Sequence, residues 1–469
     1  MASGDEDGLF ASLPEQSAPG RAGGGLPRLR FAERDQIAWR AVSLDGLLAD
    51  DHRVRLVWRF VEGLDLTALH ATIKAVDGRP GHPSVDPRIL LGLWLYATVE
   101  GIGSAREVAR LCEEHIAFQW LCGGVGMNAK TLADFRVDHG AVLERLLVDS
   151  FTALVRAGVA SLDRVAQDGV RVRASAGAAS FRRHSTLQDC RRDAEKALAD
   201  LRAQVNADPG AASRRQAAAR QRAAEDRERR VGAALAVSEE LHVQQQEQAR
   251  LEAERAAKKV QEEAARNQKD EVEEPASKKP RVSEPRASTT DAQARVMKMA
   301  DGGFRPAYNV QFATDTKSTA IAGVSVDAIG SDMGKMAPMN DALAGHYGER
   351  PRQHLVDGGF VKFDDIETLA RHGVETFAPV PKPRDASRDP HAPLSGDQPG
   401  VAEWRKRMGR DEAKEIHRQR AATAECANAQ ARNRGLTQFL VRSLEKVKVV
   451  ALWHALTHNM VCSWRLIEA

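Results

Sequence analysis

Cysteine is scarce in this chain. The five present (Cys112, Cys122, Cys190, Cys426 and Cys462) are scattered through 469 residues and form no Cys-x-x-Cys pair. Their scatter and odd number argue for reduced thiols in a cytosolic chain. Long apolar runs are missing as well: the longest, Ile89 to Val99, is too short to cross a bilayer. The opening residues MASGDEDG are acidic and lack the basic start and apolar stretch of a secretory signal. The expectation is a soluble, cytoplasmic protein with no membrane partner. Neither sign of charge dominates, because 68 Lys and Arg face 65 acids for a net charge of +3, so only local basic surfaces are available to a polyanion. The seven tryptophans, Trp94, Trp120, Trp404, Trp453 and Trp464 among them, are few and dispersed, which suits core anchors and not a base-stacking platform. At this length, with 42% apolar residues, the chain can bury a sizeable core divided among two or three units.

Composition changes sharply along the chain. Residues 1–30 are rich in Gly, Ser, Pro and Ala and read as a flexible leader. Across 31–157 apolar residues recur at spacings of three and four (Leu56, Val57, Phe60; Leu90, Leu91, Leu95; Leu143, Leu146, Leu147), which predicts an all-α unit. Within it, Ala105–Cys112, a turn at Gly123-Gly124 and Asn128–Arg136 predict a helix-turn-helix-like pair. The second helix would present Lys130 and Arg136 to DNA. Residues 158–186 hold a first strand, from Asp163 to Ala174. A stripe of Leu187, Ala194 and Leu201 with Leu198 and Val205 then opens an inserted helical coiled-coil arm over 187–268, and 269–294 has the composition of a disordered linker. Over 295–469, strands are predicted at Tyr308–Ala313, Thr319–Val326, Gln353–Val356 and Val374–Val380. Helices are expected near 334–346, 363–372 and 401–466, so this part is α/β, a mixed sheet with flanking helices.

Three acids stand in distinctive frames. Asp168 lies in Val165-Ala-Gln-Asp-Gly-Val170 and Asp357 in His354-Leu-Val-Asp-Gly-Gly-Phe360, each directly before glycine beside a short apolar run; Glu425 lies in a long polar helix. Mg²⁺ takes oxygen ligands and keeps several waters, so one or two carboxylates per ion suffice, and a pair of ions can flank a phosphodiester. Asp168, Asp357 and Glu425 meet that need, with Mn²⁺ as an alternative ion. Any one of 65 acids is most simply a surface charge, and it is the frames that single these three out. Arg171, Arg173, Arg305, Lys317, Arg432, Arg434, Arg442, Lys446 and Lys448 are available to neutralise phosphates. Two other signals are set aside. Gly124–Thr131 places Ala129 where a phosphate-binding loop needs glycine, and His454 with His458 lacks both a following Glu and a third ligand.

Taken in order, these blocks resemble those of bacterial insertion-sequence DDE transposases. Ala166–Ala174 is similar to their first-acid block, Arg295–Gln311 to a strand pair, Val356–Phe360 to the second-acid block, and Arg420–Glu425 with Ala431–Val447 and Trp453–Asn459 to the third-acid helix and its continuation. Asp86–Ala97 through Thr131–Arg136 resembles their InsH-like N-terminal domain. The resemblance implies an RNase H-like catalytic domain, with Asp168 on the first strand, Asp357 at the end of the fourth and Glu425 on a later helix. It also implies a DNA transposase that cuts insertion-sequence ends and joins the 3′ hydroxyls to target DNA. Its partners would be the terminal inverted repeats, the target DNA and a second copy of the chain, with the coiled coil as a candidate dimer element, and DNA-bound molecules would sit at the nucleoid. The chain departs from the usual pattern around the third acid: Arg418 and Ala421 stand seven and four residues before Glu425, and Arg432 stands where a lysine is usual. Arg432 keeps phosphate-binding donors, and Arg420 replaces an arginine expected one residue later. Two alternatives remain open at this stage: a catalytically inactive DNA-binding or scaffolding derivative, and a Mg-dependent DNA nuclease.

Overall fold

The computed structural model describes residues 42–75, 83–207, 211–266, 284–383 and 387–467. The predicted leader and most of the predicted linker fall outside them. The helical region holds α1 (Arg53–Glu62), α2 (Thr67–His70), α3 (Pro87–Val99), α4 (Ala105–Glu114), α5 (Ile116–Cys122), α6 (Ala129–Asp138) and α7 (Gly140–Arg156). Local chemistry explains where these begin. Asp86 accepts the Arg88 amide at 2.8 Å with Pro87 in the first turn of α3, and Asn128 accepts the Thr131 amide at 2.8 Å to start α6. One expectation is corrected here: the stretch between α4 and the Gly123-Gly124 turn is not a simple connection but a further helix, α5, so α4 and α6 are not a two-helix turn unit.

The sheet begins with β1 (Arg164–Arg173). After β2 (Phe181–Arg183) the chain enters α8 (His184–Ala207) and α9 (Ala211–Arg266), then returns through β3 (Arg286–Ser288), which pairs antiparallel with β2. That return corrects the expected linker, since residues 286–288 form a strand at the base of the insertion. Leu187, Ala234, Leu235 and Ala287 pack there as a small separate core. At 56 residues α9 is about 84 Å long and outruns α8.

The remaining elements are β4 (Arg295–Lys298), β5 (Phe304–Asp315), β6 (Ile321–Asp327), α10 (Met336–Tyr347), β7 (Gln353–Leu355), α11 (Phe363–Arg371), β8 (Glu375–Phe377), α12 (Pro399–Gly409), α13 (Asp411–Arg420), a π-helical turn at Ala421–Glu425, α14 (Cys426–Asn433) and α15 (Leu444–Ile467). The single helix expected over 401–466 is thus several helices. The sheet order is β4-β5-β1-β7-β8, with β6 also paired to β5. β1 runs antiparallel to β5 and parallel to β7, and β8 runs parallel to β7, so the sheet is mixed. As a central strand β1 buries residues on both faces. α15 joins sheet to helices: Asn459 pairs with both the N–H and C=O of Ile321 on β6, while the Trp453 indole donates to the Arg136 carbonyl of α6. Residues from α1, α3, β1, β5, β6 and α15 accordingly share one core. Among the described residues no helix is long and apolar enough to cross a membrane.

Candidate functional site

Asp168 lies in the middle of β1. The last parallel pair between β1 and β7 is Ala166 with Leu355, and two residues further along each chain stand Asp168 and Asp357. Neighbouring strands lie about 4.8 Å apart, so this register alone sets the two acids side by side where β7 ends. Asp357 caps the short turn that follows, its Oδ1 accepting the Gly359 amide at 2.7 Å. Asp168 Oδ1 accepts the Gly169 amide at 2.9 Å.

Glu425 arrives on the helical tract from α13 to α14, which is tied down at several points. His417 Nε2 lies 2.9 Å from the Val356 carbonyl, directly before Asp357, and Arg164 at the start of β1 donates to Gln419 at 2.6 Å. Asn428 Nδ2 donates to Asp168 Oδ2 at 3.0 Å. Between them the π turn changes the helical phase. Residues five apart would face about 140° away from each other on an ordinary α-helix, but the wider turn sets Arg420 and Glu425 on one side. Arg420 stands 3.9 Å from Asp168 and 3.5 Å from Glu425, linking the two acids through one guanidinium.

The electrostatics follow from this placement. Burial holds the Asp168 carboxyl above its usual range, Arg420 and the Gly169 amide pull it down, and the neighbouring charges of Asp357 and Asp332 push it back up. Asp332 was not singled out from the sequence. It sits in the loop after β6, its Oδ1 accepting from Asn309 at 2.7 Å and Gln311 at 2.6 Å, with Arg171 at 3.3 Å from Oδ2. Behind it runs a buried chain of hydrogen bonds. His354 Nε2 meets Gln167 Oε1 at 2.9 Å, Gln167 Nε2 donates to Gln311 Oε1 at 3.2 Å, and Gln311 donates to Asp332; on its other side His354 Nδ1 faces the Asn340 amide at 2.8 Å. The signal for this layer is present in Tyr308-Asn-Val-Gln-Phe312, where two amides alternate within an interior strand.

The predicted basic residues fare differently. Arg171 is engaged within the protein by the Gly330 carbonyl and Asp332. Arg173 is exposed, and its backbone pairs with the loop after α14 at Thr437 and Phe439. Arg432 is exposed on α14, and Arg434 donates to Gln430 at 3.3 Å. Arg305 pairs with Asp301 at 2.5 Å, on the hairpin joining β4 to β5 and away from the acids. Lys130 is exposed on α6 and pairs with Asp134. Arg136 is a correction. It does not project from an exposed helix face but is buried, donating to the Gly103 carbonyl and lying 4.6 Å over the Trp94 ring. His454 and His458 are buried in α15, as packing residues are.

The groups that touch Asp168 directly are nitrogens, the Gly169 amide, Asn428 Nδ2 and the Arg420 guanidinium, while the carboxylates of Asp357 and Asp332 stand near enough for their charge to reach it. Hard oxygen donors suit Mg²⁺ or Mn²⁺, and the Arg420 guanidinium already places positive charge between Asp168 and Glu425. Among the described residues no group of three or more His, Cys, Asp or Glu side chains stands close enough to hold one metal ion.

Comparison with known proteins adds one match. Residues 42–138 fit the family model described as Transposase domain (DUF772), spanning α1 to α6 and ending before α7 and the sheet. This supports a transposase relationship for the helical region. No curated protein and no solved structure matches the chain.

Proposed function

We propose that the chain is a metal-dependent DNA transposase with an RNase H-like catalytic domain, in which Asp168, Asp357 and Glu425 carry the chemistry. The observation that carries this reading is the β1–β7 register: two acids remote in sequence stand two residues beyond the same last pair, with the Glu425 helix pinned to both strands. The strand order, an antiparallel β6-β5-β1 set followed by parallel β7 and β8, supports the same fold, and the transposase-domain match supports the same class. Asp168, Asp357 and Glu425 would hold divalent cations, Mg²⁺ or Mn²⁺. Bound there, the ions would activate the attacking oxygen and stabilise the leaving one. Asn428 would keep the Asp168 carboxylate oriented, and Arg420 would leave its carboxylate partners for a DNA phosphate. Arg173, Arg432 and Arg434 would bind the DNA backbone. Holding two element ends together calls for two copies of the chain.

End-labelled DNA carrying the element ends, incubated with Mg²⁺ and target DNA, tests this. Joined products are expected from the wild type and none from Asp168→Asn or Asp357→Asn, which should still bind DNA. Cleavage without joining would identify a nuclease instead, and binding without either step an inactive derivative.

A further inference from the structure

α4 and α6 begin at one cleft. Ser104 and Asn128 cap them, taking the Glu107 and Thr131 amides, while the amides ahead of these have no intrahelical acceptor. The cleft holds about 570 Å³ and is lined by these two helix starts, by Arg106, Lys130 and Arg136, and by Leu440 and Val441 from the loop after α14. Among the described residues no acidic side chain lines it. Lys130 is 84% exposed; the acids that act on it, its ion-pair partner Asp134 and, further off, Asp138, lie further along α6, outside the lining. Arg136, at the inner end, is 8% exposed, and its Nε is buried without a partner. Burial draws its pKa down to about 10 with no acidic side chain offsetting the effect. A buried cation without a counter-charge is costly to hold. A buried guanidinium, two further cations and two helix starts around one cleft together favour an anion.

We propose that this cleft binds a phosphate of the DNA backbone, an inference that rests on the transposase reading and gives DNA a holding point apart from the acids. Two observations favour a DNA strand over a free phosphate ion. Leu440, 59% exposed on the rim, offers an apolar contact that a sugar or base can use and a free ion cannot. The loop bearing Leu440 is also joined to β1 at Arg173, where the Phe439 amide donates to the Arg173 carbonyl at 2.8 Å. Arg173 is five residues beyond Asp168 on the same strand, about 16 Å away, so DNA held in the cleft is led toward the acids.

Fluorescence anisotropy with a short labelled duplex of random sequence, measured across a salt series without divalent metal, tests the cleft independently of catalysis. The full chain is compared with the Arg106→Ala/Lys130→Ala double variant and with Ala133→Glu, which adds a carboxylate to the cleft from an exposed helix position. Both are expected to weaken binding about tenfold or more and to reduce the slope of log affinity against log salt by about one. Thermal melting shows that each variant is folded. Unchanged affinity and slope in both variants would overturn the cleft while leaving the transposase reading intact. Failure of the wild type to bind DNA would overturn the two together. Inorganic phosphate raising the melting temperature of the wild type but not of Ala133→Glu, with DNA affinity equal in both, would assign the cleft to a free ion and overturn the proposal.

Discussion

A methyl group at position 169 would stand 2.5 Å from both Asp332 Oδ1 and Gln311 Nε2, inside the hydrogen-bonded layer behind the acids. Glycine there lets Asp332 approach β1 closely enough for its charge to reach Asp168. Gly169→Ala is therefore expected to cost about 1–3 kcal/mol, the usual range for overpacking a filled interior. Urea denaturation measures it, and an unchanged midpoint would contradict the crowding. His354 carries a second prediction. It is fully buried, its pKa is depressed from 6.5 to about 4 by desolvation, and its Nδ1 must stay unprotonated to accept from Asn340. A depressed pKa means that the stability tied to neutral His354 is present above 6.5 and is lost as pH falls through about 4. His454, lowered to about 3 by burial, adds in the same direction. Denaturation at a series of pH values should show this loss, and His354→Gln, which can still accept and donate, should flatten part of it. An equally steep loss in the variant would show that His354 is not responsible. Asp168 and Asp357 were legible in the sequence because each stands beside an apolar run and just before glycine. Asp332 and Asn428 were not, since Asp332 meets Arg171 and Asn428 meets Asp168 only in the fold, each pair more than a hundred residues apart in sequence. Arg136 was misjudged because a cation in a helical pattern reads as exposed until Trp94 and Gly103 are known to close over it.

Strand pairing and helix docking determine where those residues meet. β1, β5, β6 and β7 were readable from alternation and turn signals, but β2 and β3 are three residues each and acquire their identity only by pairing across the inserted arm. The same pairing makes the arm separable. Arg183 and Arg286 are partners at its base, so a short Gly-rich turn can replace residues 185–284 at little entropic cost. The shortened chain is expected to keep a cooperative melt, because Leu187, Ala234 and Leu235 belong to a small core of their own. A non-cooperative melt would show that the arm supports the sheet. The π turn at Ala421–Glu425 escaped sequence reading for a different reason: it is set by where α13 and α14 must dock, through His417 at Val356 and Asn428 at Asp168, and not by a local signal.

At the scale of the whole molecule, the match to a transposase domain ends at residue 138, but the core does not. α15 supplies Leu452, Trp453 and Leu456 to the same cluster as Trp94, Phe118 and Leu132, and Trp453 donates to Arg136. A fragment of residues 42–157 is therefore expected to lack a cooperative thermal transition when followed by circular dichroism, and a sharp melt would show that it folds alone. The docking of this helical region through α15 onto β6 brings the basic cleft and the acids into one folded unit. The most direct measurement is the binding of Mn²⁺ to the full chain, followed by electron paramagnetic resonance, with Asp168→Asn and Asp357→Asn alongside. Saturable binding by the wild type, weakened at least about tenfold in both variants, is expected, whereas identical Mn²⁺ binding by all three proteins would contradict a metal site at Asp168 and Asp357.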